Sequence, residues 1–288
     1  ERQLASTNDL SLSLGGVGGN LIGGLFGRED HDWVDRRVTS LGVMREFGVK
    51  HSSALRIEIG AGDDRGIPDP LTKGLISGEF RPNRPVDEGG YVRSRVQFDF
   101  GRNIVTGLLA SGVGASIWYE RGDGTLDWQR AQVQALVQRI VGRVILVARA
   151  DAGAVTGSNV PTQQLLEVGG GEGLPGYEYK EFAGSQALIV RSTAAYLLPI
   201  FESPMRLGRV VLPAIAPQLQ VGIFGGATAV TEQTRPVLER QGWITTDRLR
   251  GSADIRLRFF SGAISVGASR AVDRRDRWKL VFGVGGSL

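Results

Sequence analysis

The stretch Leu166-Glu-Val-Gly-Gly-Gly-Glu-Gly-Leu-Pro-Gly-Tyr-Glu-Tyr-Lys-Glu-Phe-Ala-Gly184, followed by the alternating run Ala187–Leu198, decides the fold. A glycine cluster, a short apolar-Pro-Gly-aromatic turn and a closing glycine form a long loop ahead of a strand-like segment. The loop is too rich in glycine to be a core element and too aromatic to be a floppy linker. It reads as a connection that leaves one strand, packs against something, and returns to the next.

Outward from this loop the chain alternates with period two over eight or more residues at a time, which predicts strands rather than helices. Arg93, Arg95, Gln97 and Asp99 oppose Val92, Val96, Phe98 and Phe100. Arg130, Gln132, Gln134 and Gln138 oppose Ala131, Val133, Ala135 and Val137. Arg149 and Asp151 oppose Leu146, Ala148 and Ala150, and Asp254, Arg256 and Arg258 oppose Ile255, Leu257 and Phe259. Near the C-terminus Trp278, Leu280, Phe282 and Val284 oppose Lys279 and Gly283. A soluble antiparallel sheet also has a wet face and a core face. Here the polar faces carry charges at successive positions, and aromatic residues sit near strand ends, as in the girdle of a membrane barrel.

Composition permits that choice. The 288 residues contain 42 glycines, two methionines and no cysteine. Disulfides, thiolate metal sites and cysteine nucleophiles are thereby excluded. A net charge of +4 without a basic block is no nucleic-acid footprint, so no nucleic-acid partner is expected. No run of about 18 apolar residues is present, which excludes a spanning helix but leaves spanning strands open. The mean hydropathy of -0.07 suits either a soluble chain or a barrel. Glu1-Arg-Gln-Leu4 does not open a secretory leader, as expected of a mature chain or a piece of a longer one.

The glycine loop resembles the signature loop of the BamA/TamA superfamily of outer-membrane assembly barrels, also called bacterial surface antigens. In that family a Gly-Gly pair precedes a Val/Leu-Arg-Gly-Phe/Tyr tetrapeptide on a loop folded back into the barrel. The matching residues here are Gly169, Gly170 and Gly171, then Leu174-Pro175-Gly176-Tyr177, with Gly184 closing the loop. Pro175 replaces the family arginine. The aspartate that this arginine meets in the family lies in a Phe-x-Asp-x-Gly pattern on the barrel wall. The corresponding wall segment is Phe224-Gly-Gly-Ala-Thr228, with Gly226 at the aspartate's place. Both members of the ion pair are gone together, which avoids leaving a lone charge inside the barrel. Tyr177, Tyr179 and backbone contacts are expected to hold the loop instead.

The resemblance implies an all-β fold: a transmembrane antiparallel β-barrel with a long inward-folded loop over 154–184. About twelve strands are expected where the family has sixteen. Counted from the end, they fall near 277–287, 262–272, 249–260, 207–225 and 185–198. Before the loop they fall near 142–154, 125–139, 104–120, 89–101, 71–81, 53–61 and 36–48. Residues 36–288 form the expected barrel, and residues 1–35 stay unassigned, with 8–27 left to add a hairpin or a plug. Ile140-Val-Gly and Phe260-Ser-Gly predict tight turns on one rim, and 154–184 and 227–247 long loops on the other. Val96, Phe98, Leu146, Leu257 and Phe282 are expected to face lipid.

The implied activity is assistance in inserting or translocating outer-membrane proteins, in a Gram-negative-type outer membrane, with the lipid bilayer and unfolded clients as partners. The implied mechanism is a lateral seam at which a client strand augments a weakly paired edge. Its C-terminal side here is Trp278–Leu288, where Gly283, Gly285 and Gly286 reduce packing. Two other readings compete: a passive pore whose arginine-rich inner face favours anions, and a membrane anchor for an N-terminal passenger enzyme. An enzyme is the least supported class. The two histidines are His31 and His51, and His31 lies in a charged loop pattern between Asp30 and Asp32. No Gly-x-Ser-x-Gly elbow occurs, and Gly16–Gly24 lacks the Lys-Ser/Thr of a phosphate loop. No cofactor or metal is expected.

Overall fold

The computed structural model describes residues 2–6, 32–48, 53–67, 75–76, 83–101, 111–171, 173–207, 210–260, 262–274 and 278–284. Twelve strands form one antiparallel sheet. In order they are β1 (Arg2–Ser6), β2 (Trp33–Phe47), β3 (Ser53–Arg65), β4 (Gly89–Phe100), β5 (Gly112–Gly124) and β6 (Asp127–Val141). The sheet continues through β7 (Val144–Asn159), β10 (Gln186–Leu197), β13 (Gln218–Ala229), β14 (Arg250–Phe259), β15 (Ile264–Ala271) and β16 (Trp278–Val284). Two short hairpins are inserted: β8 (Leu166–Val168) with β9 (Phe182–Gly184), and β11 (Met205–Leu207) with β12 (Val210–Leu212). Among the described residues one α-helix, α1 (Arg235–Arg240), lies in the β13–β14 connection.

Each sheet strand pairs with the next in the chain, so the register puts equivalent faces side by side. Val43, Ile57, Val96 and Tyr119 fall in one row of cross-strand partners across β2–β5. Val221, Ile255 and Ala268 continue the same face on β13–β15. Side chains on this face are open to the surroundings on every strand of the twelve-stranded sheet from β2 onward: Leu41 is 76% exposed, Ile59 58%, Ile223 67% and Leu280 87%. Soluble proteins do not expose a continuous apolar surface of this extent. All five residues expected to face lipid lie on it and are exposed: Val96, Phe98, Leu146, Leu257 and Phe282. Phe47, Phe100, Tyr196 and Phe260 sit at the same end of their strands, forming an aromatic margin at one rim.

The opposite face is polar and largely covered. Arg130, Asp151, Arg191, Gln220, Asp254, Arg256 and Arg258 are all buried there. An arginine placed on the outer face, for example Val96→Arg, should therefore destabilise by about 2–4 kcal/mol, whereas Gln134→Arg, beside Asp151, should be tolerated. Midpoints of urea unfolding in micelles, read by heat-modifiable gel mobility, check this. Equal midpoints would reject the assignment of faces.

Three strand boundaries differ from the sequence reading. The strand expected near 71–81 does not stand between β3 and β4, which pair directly from Ala54↔Asp99 to Asp64↔Gly89. Leu75 and Ile76 form an exposed bend, and the rest of that segment lies outside the described residues. The strand expected over 207–225 begins at Gln218 and runs to Ala229; the residues before it include the β11–β12 hairpin. The loop expected from 154 begins after Asn159, because β7 keeps pairing with β6 up to Asp127↔Asn159. Residues 8–27, left as a hairpin or plug, lie outside the described residues, and β1 pairs with β2 from Arg2↔Arg37 to Ser6↔Trp33.

The strand directions place the tight turn around Gly142 (φ 58°) and the 198–217 connection on one rim. The 160–185 and 230–249 connections lie on the other. Strand length falls from 16 residues in β7 to seven in β16. Among the described residues no pairing joins β16 to β1, so these two strands are the edges of the sheet.

Candidate functional site

The site is the connection between β7 and β10, which folds back over the polar face. Its base is the buried 3-10 turn Thr162–Gln164. There Asp87 accepts from the Thr162 amide at 2.7 Å, and Gln163 donates to Asp64 at 3.2 Å. Asp64 also accepts a bidentate pair from Arg36 at 2.8 and 2.7 Å and the Tyr91 hydroxyl at 2.8 Å. The loop therefore leaves β7 tied to β2, β3 and β4.

Glycine makes the next turn feasible. Gly170 has φ 66°, and a Cβ there would lie 2.8 Å from Tyr179 Cα. Its carbonyl accepts from the Gly173 and Leu174 amides at 3.1 Å each, and its amide donates to the Leu174 carbonyl at 3.0 Å. Gly169 and Gly171 flank it with positive φ, and Gly184 ends β9 against Ala229. The two arms of the loop are thus held together by backbone bonds.

Its apolar side chains form the largest buried cluster of the inner face: Leu166, Val168, Leu174, Tyr177 and Phe182 pack with Ala187, Ile189, Phe224 and Ala271. Leu174 is fully buried and occupies the space over Gly226; a Cβ on Gly226 would lie 2.8 Å from Leu174 Cδ1 and 3.0 Å from Val168 Cγ1. Phe224 belongs to the same cluster. Thr228 exchanges hydrogen bonds with Thr246, at 2.7 Å from its amide and 2.9 Å to its hydroxyl.

Beyond Leu174 the tip crosses to β15. The Ser269 hydroxyl donates to the Pro175 carbonyl at 2.7 Å, and Gly176 lies so close that a Cβ would be 2.3 Å from the Ala271 amide nitrogen. The Tyr177 hydroxyl donates to Asp273, which Arg250 also engages. Arg274 pairs with Glu181, and Lys279 on β16 reaches Glu178 at 2.6 Å. Of the residues singled out near the C-terminal edge, Trp278 is exposed on the outer face, and Gly283 lies beside Ser265 across the β15–β16 pair. Gly285 and Gly286 lie outside the described residues.

Burial raises the Asp273 carboxyl, but the hydrogen bonds from Tyr177 and Arg250 outweigh it and hold the group below its ordinary value. Burial, then Asp273, pushes the Tyr177 phenol up, so it stays a donor. A depressed acid contributes above its unfolded pKa of about 3.9 and loses that contribution as pH falls through the lower folded value. Proteolysis within 169–184 should therefore rise in the wild type as pH falls below about 4. Asp273→Asn should show raised cleavage already at neutral pH; a flat wild-type profile would remove Asp273 as an anchor.

A second anchor was not visible in the sequence. Lys180, 3% exposed, places its ammonium 2.5 Å from Asp32 and 2.7 Å from Glu167. Arg84 pairs with Glu167 at 3.0 Å, donates to the Lys180 carbonyl at 2.8 Å, and stacks on Trp243 at 4.3 Å. The Arg84 amide donates to Asp32 at 2.9 Å. The charge pair missing from Pro175 and Gly226 thus has a counterpart elsewhere on the same loop. One composition signal was available: lysine supplies only four of the 34 basic residues, and one of these four is Lys180.

No family model matches the chain, and no curated protein matches it in sequence. Solved structures do match its fold. BamA from Haemophilus ducreyi lacking POTRA domains 1–3 superposes with a TM-score of 0.58 at 12% identity, over 88% of this chain and 55% of that one. CdiB from Acinetobacter baumannii gives 0.52 at 12% identity, over 88% of this chain and 42% of that one. The chain therefore spans about half the length of these neighbours. It has a BamA/TamA-like β-barrel fold.

Proposed function

We propose that this chain is the membrane barrel of an assembly or translocation protein of a Gram-negative-type outer membrane, a non-enzymatic role. The apolar outer face suits a bilayer, and the likeness to BamA and CdiB supports the class. The observation that carries the reading is the inward loop bridging from β13 to β15 and β16, next to the free edge of the sheet. An edge strand offers unpaired amides and carbonyls to an incoming strand. Gly283 of β16 adds no cross-strand side chain. Its partners on this reading are lipid and unfolded outer-membrane polypeptides.

A second reading, an anion-favouring pore, draws on the inner face, where Arg56, Arg93, Arg95, Arg149, Arg191, Arg256 and Arg258 outnumber Glu58, Asp99, Asp151 and Asp254. One stapled protein separates the two. A disulfide engineered between β16 and β1 should abolish insertion of a client barrel into proteoliposomes while the stapled protein stays heat-modifiable. Conductance in planar bilayers should survive the staple if the pore reading holds. Insertion retained after complete cross-linking would reject the seam.

A further inference from the structure

Several arginines of the inner face have a carboxylate partner. Arg36 pairs with Asp64, Arg93 with Glu58, Arg149 with Asp151 and Arg256 with Asp254. Arg95 and Arg130 differ. Their guanidinium carbons lie 4.7 and 5.0 Å from the ring centroid of one residue, Trp118. The protein acceptors that reach them are side-chain amides: Gln97 takes Arg95 at 2.9 Å, and Gln164 takes Arg130 at 3.2 Å.

The carboxylates nearby are engaged by other partners. Glu58, Arg95, Glu120 and Arg130 form one cross-strand row over β3–β6. Glu58 is taken by Arg93, and Glu120 accepts from the Trp128 indole at 3.3 Å and lies 3.8 Å from Arg93. Three guanidiniums (93, 95 and 130) thus face two carboxylates (58 and 120), an excess of one positive charge.

Three buried donors on β4 and β6 have no protein acceptor: Arg95 Nε and Arg130 Nε beside Trp118, and Gln132 Nε2, which lies over Gly153 on β7. Gln132 is the direct cross-strand neighbour of Trp118 on β6, and Gln97 is its neighbour on β4. Arg130 itself is only 2% exposed. Arg95 and Trp118 are half-buried, so the cluster keeps an open side. Guanidinium groups braced on an aromatic ring are preorganised for oxyanions, because the planar fork matches two oxygens at once.

From these donors we infer that Arg95, Arg130 and Gln132, around Trp118, form a binding site for a small oxyanion of the phosphate class on the inner face of the barrel. The anion supplies the acceptors that the three donors lack and balances the excess charge. The inference does not depend on the assembly reading, since it concerns the wall of β4–β6 and not the edge.

Inorganic phosphate is the probe. Calorimetric titration of the folded barrel in micelles, at ionic strength held constant with sodium chloride, should show saturable binding that chloride does not reproduce. Arg95→Gln and Arg130→Gln should each weaken it more than tenfold. Gln132→Glu should abolish it by placing a built-in carboxylate among the donors, with a melting temperature equal to or above that of wild type. Arg248→Gln, in the β13–β14 connection, should bind as wild type does. Absence of saturable binding by the heat-modifiable wild type overturns the inference. Undiminished binding by Gln132→Glu or Arg95→Gln does so as well, and these variants keep the test decisive should Arg130→Gln fail to fold.

Discussion

Lys180→Met should lower the stability of the folded barrel by about 3–5 kcal/mol. The ammonium pairs with both Asp32 and Glu167, and both carboxylates are buried. Without it Asp32 keeps the Arg84 amide as a partner, and Glu167 keeps the Arg84 side chain. Breaking a buried pair from one side costs far more than replacing the whole group, because an uncompensated charge remains in a dry place. The triple change Lys180→Met, Asp32→Asn, Glu167→Gln should accordingly recover a large part of the loss. Urea midpoints by gel mobility measure the stability, and limited proteolysis within 169–184 reports the loop. If Lys180→Met matches wild type in both, the cluster is not an anchor. Recovery in the triple variant distinguishes charge burial from lost packing of the lysine stem.

Leu174→Ala should cost about 2–5 kcal/mol, because the side chain is fully buried and fills the hollow over Gly226. Gly226→Ala should cost about 1–3 kcal/mol for the opposite reason, since its new methyl group meets Leu174 Cδ1 and Val168 Cγ1. Together the two changes should cost clearly less than their sum, as the methyl group occupies part of the space the leucine leaves. Additive costs would mean that tip and wall are not in contact. The same geometry makes Gly226 a poor place to restore an aspartate opposite an arginine at position 175: the volume such a pair needs is taken by an apolar contact.

The strands were legible because two solvents act on the two faces of one sheet, and a period of two survives in any strand with apolar residues on one side only. Val96, Leu146, Leu257 and their neighbours could be assigned from alternation alone. The apolar pair Leu75 and Ile76 suggested a strand between β3 and β4, but pairing between those two strands is a property of both together and leaves no place between them. The loop stood out through its glycines, which backbone geometry requires. Its anchors did not. Asp32 and Lys180 are 148 residues apart, and Tyr177 and Asp273 are 96 apart. A single pair at such separation leaves no periodic trace in a sequence. Loss of the charges at 175 and 226 was readable; relocation of charge to Lys180 was not, because the partners belong to other connections.

Those separations also order events in time. Contacts distant in the chain form late, since each needs the ends of a long segment brought together first. Lys180 needs the residue just before β2, Leu174 needs β13, and Pro175 to Glu178 need β15, Asp273 and β16. A nascent wall still missing its final hairpin offers the loop only part of its seat. Docking of the loop is therefore a completion signal for the barrel's own folding: it records that the first and last thirds of the chain have both arrived.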